Sequence, residues 1–98
     1  NISKDTPWRE RKIAALEVLR NAPYEVKVVA MGDKLSNMRA IARDYETIGD
    51  ELWKRFHAPN GKADHAWRYN ALADALSELK HTFAYREFLM LLNKTFNQ

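Results

Sequence analysis

Only three glycines and three prolines punctuate the 98 residues, and that scarcity constrains the fold more than any single motif. Chain reversals lean on these residue types, so a sequence with so few of them has few places to turn. Between the breaks the apolar residues recur at helical spacing, and no uninterrupted apolar run exceeds five residues. The pattern predicts an all-α fold of about five helices joined by short turns. A chain of this length forms one domain, residues 1–98, or a part of one.

Thr6 followed by Pro7 suits a helix start, because the hydroxyl can accept a free amide and proline fits the first turn. The first helix is read from Pro7 to Arg20, with Trp8, Ile13, Ala15, Leu16 and Leu19 apolar and with Arg9, Lys12 and Arg20 left to solvent or to a ligand. The second begins at Pro23 and runs to Tyr45 or Glu46, and its apolar residues spread so widely that a mostly buried helix is predicted. Gly32 inside it costs about 1 kcal/mol relative to alanine, which points to close helix packing or to ligand access. A short third helix covers Gly49 to His57, and Ala58-Pro59-Asn60-Gly61 is the clearest turn. Asp64 then caps a fourth helix carrying Trp67, Leu72, Ala75, Leu76 and Leu79, and a final helix runs from Ala84 to Thr95.

The absence of cysteine excludes thiolate zinc sites, dithiol redox chemistry, a cysteine nucleophile and a disulfide scaffold. Sixteen basic against 13 acidic residues give a net charge of +3, a weak field with the two signs interspersed. No basic stripe of the kind that tracks a phosphate backbone stands out, so neither DNA nor RNA is expected as a partner. No apolar run approaches the ~20 residues needed to cross a bilayer, so a soluble, cytoplasmic chain without a membrane partner is expected.

The most informative segment is Met31-Gly32-Asp33-Lys34-Leu35-Ser36-Asn37-Met38-Arg39. Asp33 and Asn37 lie one helical turn apart, and Asp44 returns to within about 20° of the same face. Val26, Val29 and Ala40 flank that face, so Asp33 is expected where solvent is scarce and where a carboxylate needs a cation, a hydrogen bond or an ion. The alternative is a carboxylate that pairs with Lys12 or Arg39, or simply faces water. Arg9, Arg11 and Lys12 form a basic cluster that reads either as a solvated helix face or as an anion contact. The spacing of Trp8, Trp53, Trp67, Tyr69, Phe83, Tyr85 and Phe88 favours core packing over base stacking.

Met31 to Arg39 resembles the late ADKLxNLR motif of HD-domain metal-dependent phosphohydrolases, most closely the branch that hydrolyses the guanosine polyphosphates (p)ppGpp. Upstream, Trp8-Arg9-Glu10-Arg11-Lys12 resembles the WxERK segment that precedes the motif in that branch, and Gly49 to Phe56 and Ala66 to Ala73 are similar in character to its later helices. The resemblance covers roughly residues 5–80. It implies a divalent cation, commonly manganese, with Asp33 as its last ligand, and a phosphorylated nucleotide such as ppGpp as substrate. It further implies Asn37 as a contact to the sugar, Lys12 or Arg11 as a phosphate contact, and Arg55 as a second phosphate contact. No general acid or base is identified by it.

The departures from the family pattern are as specific as the matches. The family's other ligands are histidines and a His-Asp dipeptide from earlier helices, whereas His57, His65 and His81 all follow the Asp motif and no His-Asp pair occurs. Each of the three is read as a surface or helix-end residue, with Asp64 as a cap beside a surface His65. The sequence opens at Asn1 in what would be the middle of an HD domain, so it is expected to be the C-terminal portion of a longer hydrolase, or a natural remnant of one. Alone it is expected to be inactive and to lack a complete set of metal ligands, with apolar surface exposed toward missing helices and able to drive self-association. The competing reading is a catalytically inactive helical module for regulation or protein interaction.

Overall fold

Leucine, alanine and long charged side chains dominate the residues before Asn21, and such residues lose little on entering a helix. In the computed structural model, which describes residues 6–56 and 58–96, they form α1, Thr6–Arg20. The side chain of Thr6 and the whole of His57 lie outside the described residues, and with them the cap expected of the one and the surface place expected of the other. Pro23 takes an extended conformation and α2 follows as Tyr24–Ile48. Gly49, at φ 61°, ends α2 by donating its amide to the Tyr45 carbonyl, a conformation that favours glycine.

The expected third helix is a 3₁₀ segment, Gly49–Arg55. Trp53 Nε1 donates to the Asp50 carboxylate at 3.1 Å. That contact joins residues three apart, which a 3₁₀ turn stacks directly over one another. Gly61, at φ 57°, then leads into α3, Lys62–Ala75. A second 3₁₀ turn, Ser77–Leu79, replaces the expected continuation of this helix, and α4 closes the fold as Phe83–Phe96. The Thr82 hydroxyl donates to the Leu79 carbonyl and accepts the Tyr85 amide, so it both ends the turn and caps α4. The all-α reading holds, with four α-helices and two 3₁₀ segments among the described residues.

α2 and α3 both pack against α4, while α1 packs chiefly on α3. Met31, Leu35, Met38, Ile41 and Ala42 of α2 join Leu72, Leu76, Leu79, Phe88 and Leu92 in a single core. The Tyr85 hydroxyl donates to the Ala73 carbonyl at 2.7 Å inside it, which ties α4 to the end of α3. Of the aromatic residues expected in the core, Trp53, Tyr69, Tyr85 and Phe88 are buried and Phe83 is exposed.

α2 is not the mostly buried helix its composition predicts. Its buried residues fall on one stripe, Lys27, Met31, Leu35, Met38, Ile41 and Ala42, because α4 covers one face while α1 docks on α3 instead of covering another. Val26, Val28 and Val29 are exposed. A Cβ on Gly32 would meet nothing within 4 Å, so close helix packing does not explain that glycine. Among the described residues, no helix is long and apolar enough to cross a membrane.

Candidate functional site

The docking of α1 on α3 sets Lys12 beside Arg68, and three neighbouring recesses share Arg68 as a wall. The first, of about 310 Å³, is an apolar groove with Leu16, Leu19 and Val26 at its sides and Lys12, Lys34 and Arg68 on its rim. The second, of about 300 Å³, is lined by Trp8, Arg11, Lys12, Phe56, Ala58, His65 and Arg68. The third, also of about 310 Å³, carries Asn37, Asp44, Arg55, Phe56, Arg68 and Tyr69. All four residues expected to contact substrate, Arg11, Lys12, Asn37 and Arg55, therefore border recesses that meet at one arginine.

Electrostatics at this junction favour an anion. Burial lowers the pKa of the Lys12 ammonium, and the charges of Arg68, Arg11 and Lys34 lower it further. Among the described residues no carboxylate forms an ion pair with Arg11, Lys12 or Arg68. Arg68 instead lies over the Tyr69 ring, 5.4 Å from its centroid. Other basic residues nearby are already committed: Arg9 and Arg20 of α1 to Asp64 at 3.2 Å and Asp74 at 2.8 Å, and Arg55 of the 3₁₀ segment to Asp44 at 3.1 Å. Half-buried cations without a carboxylate beside them, as Lys12 and Arg68 are, attract phosphate more strongly than solvated ones do.

Asp33 does not occupy the solvent-poor position expected of it. Its side chain is 64% exposed and pairs with Lys34 at 3.3 Å. The cause is the same as for the valines of α2, whose outward face has no helix over it. Asp33 borders a shallow surface with Glu25, Val26, Val29 and Ala30. It still lies near enough to Tyr69 for its charge to add to the burial that raises the phenol pKa, against the opposing charge of Arg68. No group of three His, Asp or Glu side chains able to hold a metal occurs among the described residues. Those residues do not by themselves fit the divalent cation that the family resemblance implies.

His65 and Asp64 are also placed differently from their expected positions. His65 is 5% exposed, not a surface residue. Its ring is stacked on Trp53 at 5.4 Å and covered by Phe56 at 4.6 Å, and neither ring nitrogen has a hydrogen-bond partner among the described residues. Burial lowers its pKa; the charges of Arg68 and Lys12 add to that, while Asp64 opposes it. Asp64, 1% exposed, lies within the first turn of α3 and is not its cap. Its carboxylate accepts the Asn60 amide at 2.8 Å and the Arg9 guanidinium at 3.2 Å, so it fastens the preceding turn and α1 to α3. His81 is exposed as expected, 3.4 Å from the Tyr24 hydroxyl.

Sequence reasoning missed Arg68, Lys34 and His65 as members of the site. The signal for Arg68 was present: it stands three residues after His65 and four before Leu72, a cation on the inward stripe of α3. What could not be read was which helix α3 would meet there. No family model, no curated protein and no solved structure matches this chain. The resemblance therefore rests on its two motifs, and the site rests on its geometry.

Proposed function

We propose that this chain is the substrate-holding portion of an HD-type phosphohydrolase, most like the branch that removes pyrophosphate from ppGpp. The observation that carries the reading is the convergence of Arg11, Lys12, Asn37 and Arg55 on recesses that share Arg68. A phosphate group seated among Lys12, Arg11 and Arg68 supplies the counter-charge these groups lack and restores the Lys12 ammonium toward its ordinary pKa. The Asn37 amide carries both donor and acceptor atoms for sugar hydroxyls, and Arg55 adds a second cation across the third recess once a phosphate displaces its Asp44 partner. For Asp33 to ligate manganese, its carboxylate has to leave Lys34 and be joined by donors beyond those described. No step through a metal is assigned to these residues.

The exposure of Asp33, outside any group of three potential metal ligands among the described residues, favours a second reading, a regulatory module that keeps the fold and the anion site without the chemistry. The two separate cleanly in an assay of pyrophosphate release from ppGpp with added manganese, using the protein expressed from the complete open reading frame. Release that is lost in Asp33→Ala and falls about ten-fold in kcat/KM in Lys12→Ala, a loss of about 1.4 kcal/mol, supports the hydrolase. Binding of ppGpp without release in any form of the protein moves the assignment to the regulatory module.

A further inference from the structure

Phosphate seated at Arg68 makes no use of the apolar groove beside it. Leu16 and Leu19 of α1, Val26 and Ala30 of α2 and Leu72 of α3 wall that groove. Val18 and Val26 stay 74% and 49% exposed at its sides, an apolar surface that a ligand would take out of water. Every polar side chain that lines it is a cation, Lys12, Lys34 or Arg68, and no carboxylate among the described residues does so. The three are close enough for the charges of Arg68 and Lys34 to act on the Lys12 ammonium, so they form one basic end. The shallow surface that also touches Val26 and Ala30 is the reverse, with Glu25 and Asp33 as its polar residues.

We infer that the groove binds a single medium-chain fatty acid, with its carboxylate among Lys12, Arg68 and Lys34 and its chain along Leu16, Leu19 and Val26. The groove volume of about 310 Å³ is roughly twice the ~150 Å³ of a cavity that holds one benzene ring, which sets the chain at about eight to twelve carbons. An apolar lining with a few convergent polar groups is the ordinary make-up of a small-molecule site. Neither Lys12 nor Arg68 has a carboxylate partner among the described residues, and Lys34 holds the exposed Asp33 at 3.3 Å, a pair worth little in water. A free acid fits better than a lipid surface, because the apolar and basic groups converge on a recess of one-chain size and do not lie on a flat face. Because Lys12 and Arg68 also border the second recess, the bound acid and a phosphate exclude one another; that consequence alone rests on the phosphohydrolase reading.

The test is isothermal titration calorimetry with octanoate, octan-1-ol and butyrate, on the protein expressed from the complete open reading frame. Octanoate carries both head and chain, and it is expected to bind at least ten-fold more tightly than either of the others. Lys12→Gln should remove the preference for octanoate over octanol and leave octanol unchanged. Val26→Glu, which sets a carboxylate on the groove wall, should weaken octanoate at least ten-fold, whereas Val29→Glu, on the shallow surface outside the groove, should leave it unchanged. Far-ultraviolet circular dichroism of each variant checks that the helices are intact. Equal binding of octanoate and octanol, no binding of octanoate, or a folded Val26→Glu variant that binds it as well as the parent overturns the inference. So does co-sedimentation with phosphatidylglycerol vesicles without octanoate binding, which puts a lipid surface at the groove, and so does a dimer in sedimentation velocity that Val26→Glu dissolves and octanoate leaves intact, which puts a second copy there. Pyrophosphate release without octanoate binding removes this site and leaves the phosphohydrolase reading standing; octanoate binding without release does the reverse.

Discussion

The two faces of α2 are built from similar side chains and end in opposite environments. Met31 and Met38 are closed off against the core, whereas Val26 and Val29 on the outward face are 49% and 74% exposed. The difference is not in the helix but in its partners, since α4 lies over one face while α1 has gone to α3. The packed side fixes the fold; the side around α1 carries the unpaired cations, the exposed apolar groove and the isolated imidazole.

The strongest way to break this contrast is on the packed side. Phe88 is fully buried between α2 and α3, and Phe88→Ala should destabilise the chain by about 3–5 kcal/mol in urea unfolding, while Val29→Ala should change it by no more than about 0.5 kcal/mol. Comparable losses at both positions would mean that the outward face of α2 is covered. The joint between the two sides comes next. Asp64→Ala leaves the Asn60 amide and the Arg9 guanidinium without their carboxylate and should cost about 2 kcal/mol by the same measurement, with the α1 signals most affected in amide exchange.

The smallest effect lies within the site and has a pH signature. The folded pKa of His65 lies below the ordinary value of 6.5, so the unfolded chain takes up its proton first as the pH falls. Stability is therefore lost as the pH drops from about 6.5 through the folded pKa. His65→Phe keeps the ring, removes two unpaired nitrogens and should gain about 1 kcal/mol at neutral pH. Denaturant midpoints of parent and variant should diverge further below pH 6.5. Parallel curves through that range would show that His65 is not held neutral by its surroundings.

The helices were legible because their signals are local. Periodicity and breaks marked α1, α2 and α4 to within a few residues, and Ala58 to Gly61 was readable as a turn. The 3₁₀ form of Gly49–Arg55 was not, since it turns on the side-chain contact between Trp53 and Asp50. Asp33 and His65 were misjudged in opposite directions for one reason. Burial of either depends on a distant element: none covers Asp33, whereas Trp53 and Phe56 from before the turn close over His65. Arg11, Lys12, Asn37 and Arg55 could be chosen from motifs, but their meeting point at Arg68 exists only once α1 rests on α3.

Among the described residues, five ion pairs link the first half of the chain to the second: Arg9 with Asp64, Arg20 with Asp74, Lys27 with Glu78, Arg39 with Glu87, and Glu46 with Lys94. Their partners advance together, so the two halves run side by side in the same direction, like two strips marked off at matching intervals. The exposed pairs among them, Arg20 with Asp74, Arg39 with Glu87 and Glu46 with Lys94, add little energy singly, and once one pair has closed its long loop the others add little further loop entropy. Their consequence is registration. A slip of one half against the other by a single helical turn would misalign the whole series at once, leaving one seating in which every mark meets its mate.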